Sequence, residues 1–152
     1  MNAREPIFVD TVLVPVDGSE ESATAVEYAV AIADRYEASV HVLFVLGEGV
    51  VTGLNQGVVA ESTVATNTQT FLEDVTAVAD STDVPVTTAI VQGFSRTVKT
   101  RHPGSVVLDA ATEIDADFIV IPREPGTDDQ AEVLEKAAEY VLSYASQPVL
   151  SV

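Results

Sequence analysis

Apolar residues in this chain gather in short unbroken runs, and between the runs they recur every three or four positions. Val12-Leu13-Val14-Pro15-Val16 is the first run, and it breaks at Asp17-Gly18-Ser19, a turn and helix-start signal. Ser19 predicts an N-cap, because its hydroxyl can accept a bond from an unpaired N–H of the first helical turn. Glu20 and Glu21 follow where the helix dipole favours negative charge. Ala23, Val26, Val30 and Ala33 then mark one stripe at helical spacing, extending to about Arg35. Residues 40–46 form a second apolar strand. Val64, Thr68, Phe71, Val75 and Val78 repeat at alternating steps of four and three, which predicts a second helix. Residues 86–91 read as a third strand. Val107, Ala111 and Ile114 mark a helix ahead of the strand 118–121. Ala131, Leu134, Ala138, Val141 and Ala145 give a last helix, followed by the strand 149–152.

Strands and helices therefore alternate from end to end. Strands that are apolar on both sides, separated by amphipathic helices, predict a parallel sheet covered on both faces. Right-handed crossovers make it a doubly wound α/β sandwich of three layers. No repeat or linker divides residues 1–152, so one domain is expected. Ligands of such sheets sit beyond the carboxyl ends of the strands, where the strand order reverses. That rule selects Asp17-Gly18-Ser19 and the stretches after Leu46, Val91 and Ile121. Gly47, Gly49, Gly53 and Gly57 in the second of these match no phosphate-binding fingerprint and read as a mobile connector.

Charge narrows the partners. Twenty-four acidic residues stand against seven basic ones, for a net charge of −17, and the acids are spread along the whole chain. Such a surface repels nucleic acid, whose binding requires cations that displace counterions from phosphates, and it repels anionic membrane leaflets. No apolar run approaches the roughly 20 residues that span a bilayer, and the first residues lack the apolar core of a secretory signal. A cytoplasmic protein is expected, and self-repulsion on this scale points to a salt-rich, halophilic cytoplasm. With no cysteine, disulfides, thiolate nucleophiles and cysteine metal sites are excluded. His41 and His102 have no companion at metal-ligand spacing, so no metal site is expected. His41 alternates with apolar neighbours and reads as a strand histidine. Tyr140 and Tyr144, one helical turn apart, read as packing residues. Arg96, Lys99, Arg101 and His102 cluster within seven positions and read as a solvated loop that offsets local acidity. No nucleophile elbow and no histidine beside a nucleophile is present, so no catalytic residue and no enzymatic activity are assigned.

Residues 12–19, with the sequence VLVPVDGS, resemble the opening strand and turn of the universal stress protein family. Residues 116–121 (ADFIVI) resemble its fourth strand, and residues 138–141 (AEYV) with 147–152 (QPVLSV) its closing helix and strand. The resemblance covers the chain apart from about residues 47–63 and 93–105. It implies a five-stranded parallel sheet of order 3-2-1-4-5 and a dimer. It also implies a choice, since one branch of the family binds ATP or AMP and another does not. Pro15, Asp17 and Val45 match positions that contact the base and ribose in the nucleotide-binding branch. The phosphate motif of that branch, Gly-x2-Gly-x9-Gly-[Ser/Thr], falls on Pro122, Pro125, Glu135 and Lys136, so all four positions are altered.

The chemistry of those changes is direct. Glycines in such a loop let backbone N–H groups approach phosphate, whereas proline has no N–H and a fixed φ. Glu135 adds negative charge where a phosphate would lie, and Lys136 offsets part of it. On sequence alone the favoured reading is a stress-response module that uses no cofactor. It acts by dimerising through the edge strand 149–152 and by binding a protein partner of unknown identity or a small ligand. The alternative is a nucleotide-binding switch, or weak ATPase, with a diverged phosphate loop.

Overall fold

The structure, a computed structural model, describes residues 6, 8–58, 60–92, 102–122 and 132–152. Its strands are β1 (Thr11–Val16), β2 (Ser39–Leu46), β3 (Val86–Gln92), β4 (Phe118–Ile121) and β5 (Val149–Ser151). The helices are α1 (Glu20–Tyr36), α2 (Glu48–Asn55), α3 (Glu61–Thr76), α4 (Pro103–Glu113) and α5 (Glu132–Tyr144), with a 3-10 turn at Ala77–Ser81. The sheet order is β3-β2-β1-β4-β5, and every neighbouring pair is parallel. This is the expected doubly wound sandwich, with β1 at the centre.

Side-chain alternation along the strands divides the interior into two cores. Val12, Val14, Val16, Val42 and Phe44 face one side, where Val26 and Val30 of α1 and Leu72 and Val75 of α3 close over them. Leu13, Leu43, Val45, Ile119 and Ile121 face the other, against Val107 of α4 and Leu134 and Val141 of α5. Burial on both sides is why these strands carry no polar alternation.

Local signals explain where the helices start and stop. The Ser19 hydroxyl accepts from the Ser22 N–H at 3.1 Å, as the N-cap expectation requires. α1 closes on Glu37 in the left-handed conformation at φ 56°, its N–H returning to the Ala33 carbonyl. The carboxylate of Asp117 accepts from the N–H groups of Asp10 and Thr11 at 2.9 and 3.0 Å, clamping the start of β1 beside β4.

Two elements depart from the sequence reading. The glycine-rich stretch read as a mobile connector contains α2, because Val50 packs onto the α1–α3 core. It forms despite two helical glycines, Gly49 and Gly53, at roughly 1 kcal/mol each. Helix α4 starts at Pro103, one turn before the stripe at Val107. Its N-cap is His102, whose Nδ1 accepts from the Gly104 N–H at 3.0 Å, and Pro103 fits the first turn because its missing N–H would be unpaired there.

The stability of this fold is expected to depend on salt. The Debye length falls from about 10 Å at 0.1 M to about 3 Å at 1 M, which screens repulsion across a surface of charge −17. The thermal midpoint should therefore rise from low salt to molar potassium chloride. A midpoint indifferent to salt would refute the halophilic reading.

Candidate functional site at the strand order reversal

The chain leaves β1 toward α1 on one face of the sheet and leaves β4 toward α5 on the other. The carboxyl ends of β1 and β4 therefore part, and a crevice at this reversal is where open α/β sheets take ligands. The residues selected from the sequence converge there in part. Pro15 and Val45 are buried near the ends of β1 and β2, with Val45 turned to the α4–α5 side. Asp17 follows β1 directly and is only 4% exposed.

Asp17 is held by its own turn. Its Oδ1 accepts from the Ser19 N–H at 2.9 Å, and its N–H donates to the Ser22 hydroxyl at 3.3 Å. Gly18 between them has φ +92°, which a side chain would strain. A carboxylate is thus fixed at the mouth of the reversal, one of its oxygens held by the Ser19 backbone N–H. Its chemistry is that of an acceptor for hydroxyl or amine donors.

The altered phosphate positions are arranged differently. Pro122 is buried immediately after β4 and supplies no N–H there. Glu135 and Lys136 are exposed on α5, while their neighbours Leu134, Ala137 and Ala138 are buried. Pro125 lies outside the described residues, as do Arg96, Lys99 and Arg101. Of the seven matched positions, the structure gathers Pro15, Asp17, Val45 and Pro122 at strand ends and leaves Glu135 and Lys136 facing solvent.

The histidines and tyrosines have structural surroundings. His41 lies in the first half of β2, with Nδ1 2.6 Å from the Thr87 hydroxyl, and burial lowers its pKa below the ordinary histidine value. His102 stacks on Tyr140 at 4.6 Å between ring centroids, and Tyr140 meets Tyr144 at 4.7 Å; Tyr140 packs as read, whereas Tyr144 is 69% exposed. Among the described residues no cluster of three or more His, Cys, Asp or Glu could hold a metal ion. Among them, too, no helix is long and apolar enough to cross a membrane.

Solved structures share the fold. A universal stress protein from Lactobacillus plantarum is 22% identical, with a TM-score of 0.70 over 97% of this chain and 99% of that one. A universal stress protein from Archaeoglobus fulgidus in complex with dAMP is 20% identical, with a TM-score of 0.63 over 96% and 98% of the two chains. A universal stress protein in complex with cAMP is 19% identical, with a TM-score of 0.65 over 96% and 98%. Compared with curated protein sequences, the chain finds no match. The sequence profile of the universal stress protein family, however, aligns with residues 9–152, from just ahead of β1 through β5. By that match, and in agreement with its 3-2-1-4-5 sheet, the chain belongs to the universal stress protein family.

Proposed function

We propose that this protein is a stress-response module that binds an adenine nucleotide chiefly through its base and ribose, with the phosphates held weakly. The observation that carries the reading is Asp17, a buried carboxylate pinned at the sheet reversal. A carboxylate placed there suits the paired hydroxyls of a ribose, as in other doubly wound nucleotide sites. Pro15 and Val45 offer an apolar floor for a base. Complexes of similarly folded proteins with cAMP and dAMP support this reading over the nucleotide-free module that the sequence alone favours. The phosphate side supports a limit on it, since Pro122 removes an N–H donor and Glu135 adds negative charge on α5. We assign no catalytic group, and the module acts as a switch whose bound and free states differ.

Calorimetry in molar potassium chloride tests this. AMP and cAMP are expected to bind about tenfold more tightly than ATP, a difference of about 1.4 kcal/mol. Asp17→Asn keeps an oxygen for the Ser19 N–H while removing the charge, and it should weaken AMP without unfolding the chain. Absence of binding by all three nucleotides at millimolar concentration would return the protein to the nucleotide-free reading.

Assembly follows from the sheet. β5 is an edge strand, and edges offer unpaired N–H and C=O groups to another chain. Val149, Leu150 and Val152 are only half-buried. Beside them the outer face of α1 presents Tyr28 and Tyr36, 49% and 57% exposed. A second copy related by a two-fold axis covers both features at once. Light scattering is expected to give twice the chain mass, and Tyr36→Glu or deletion of residues 149–152 should lower it. A monomer across the micromolar range would refute the dimer.

A further inference from the structure

The two edges of the sheet differ in length. β5 has three residues, whereas β3 runs for seven, from Val86 to Gln92, with only β2 beside it. The Pro85 carbonyl accepts from the Val40 N–H at 2.9 Å, so it points toward β2. Backbone groups of successive residues in a strand point to opposite sides. Those of Thr87, Ala89 and Val91 therefore face β2 as well, and those of Val86, Thr88 and Ile90 face outward. Among the described residues nothing bonds to these outward groups. Side chains also tie the strand to its neighbour, since the Thr87 hydroxyl lies 2.6 Å from Nδ1 of His41 on β2.

The side chains along this edge suit a neighbouring strand. Val86 packs on the α1–α3 core and Ala89 and Val91 on the α4–α5 core, so Thr88 and Ile90 project on the α1–α3 side. Both are exposed, Ile90 by 52%. A β-branched pair of this kind offers packing to cross-strand residues. Charge then selects the partner. From Gly47 to Gln92 the sequence has no lysine, arginine or histidine, and its charges are Glu48, Glu61, Glu73, Asp74, Asp80 and Asp83. Asp80 and Asp83 lie just ahead of β3, and they are exposed, as are Glu61, Glu73 and Asp74 on α3. A second copy of this chain would bring its own charge of −17 to that side of the molecule, whereas a cationic strand is attracted.

We propose that the open edge of β3 docks an extended segment of another protein, one that alternates lysine or arginine with β-branched residues. The segment adds to the five strands as a sixth, its backbone bonding to Val86, Thr88 and Ile90 and its apolar residues lying beside Ile90. Main-chain bonds supply the affinity, and the acidic surroundings supply the preference for a cationic sequence. The site is separate from the crevice beyond β1 and β4 and does not rest on nucleotide binding.

A short peptide that alternates lysine with valine and threonine, blocked at both ends, is the probe, with glutamate for lysine in its counterpart. In about 0.3 M potassium chloride the Debye length lies between about 3 and 8 Å, so close charge pairs still act. There calorimetry is expected to show one site for the lysine peptide and binding of the glutamate peptide that is about tenfold weaker. Hydrogen exchange locates the peptide. The Thr88 and Ile90 amides should slow about tenfold when it is bound, while Thr87 and Ala89, already bonded to β2, should not change. Thr88→Pro removes an outward N–H and no bond to β2, and Ile90→Lys adds like charge at an exposed position. Each should lower affinity for the lysine peptide about tenfold, with thermal midpoints close to the parent's. No saturable binding, equal binding of the two peptides, binding without protection at Thr88 and Ile90, or parental affinity in either folded variant would overturn the proposal. Protection of those amides that grows with protein concentration in the absence of peptide would also overturn it, by giving the edge to a second copy.

Discussion

Leu13→Ala is expected to destabilise the protein by about 4 kcal/mol, the upper part of the range for a fully buried leucine. Leu13 has no exposed surface and sits on the central strand. It lies in register with His41 on one side and Ile119 on the other, so neighbouring strands cannot collapse into the space without breaking their own ladders. For a domain of this size about 4 kcal/mol corresponds to roughly 10 °C in the thermal midpoint. Leu142→Ala is the matched control, because that leucine is 54% exposed on α5 and its loss should change the midpoint little. Equal midpoints for the two variants would contradict the placement of β1 at the centre.

Gly104→Ala should also destabilise, in a direction that helix propensity does not foretell. In an open helix the exchange stabilises by about 1 kcal/mol. At Gly104 a methyl group would press on Cβ of Tyr140 and lie 2.6 Å from its Cγ. Those atoms are the root of the tyrosine side chain and cannot swing away without moving α5. The ring itself is held between His102 and Tyr144. Overpacking costs of about 3 kcal/mol therefore exceed the propensity gain, and a net loss of about 2 kcal/mol is expected in denaturant titrations. Ser105→Ala, one position on, should be neutral or stabilising. A Gly104→Ala variant as stable as the parent would mean that α4 and α5 do not meet this closely.

These two positions show what was legible from residues alone. Leu13 was, because an apolar run buried on both faces announces a central parallel strand. Gly104 was not, because helix-to-helix distance depends on tertiary placement that no local pattern encodes. The start of α4 was missed for a related reason, since a histidine cap followed by proline and glycine carries little apolar periodicity. At the candidate site, the turn at Asp17 was legible through its place at a strand end, whereas Pro15 and Val45 were picked out only through the family resemblance.

β3 gives salt a second, opposing role. It is the other edge of the sheet, and its sequence from Val86 to Gln92 carries no charge. Thr87, Thr88 and Ile90 along it are exposed, and proline occurs only before it, at Pro85. Natural edges usually carry lysine, an inward charge or a bulge that discourages pairing with a neighbour. At a net charge of −17, long-range repulsion between whole molecules is expected to serve instead. Ions that screen each molecule's self-repulsion also lower the barrier between molecules, so losses in concentrated brine are expected to follow how fast β3 edges find one another.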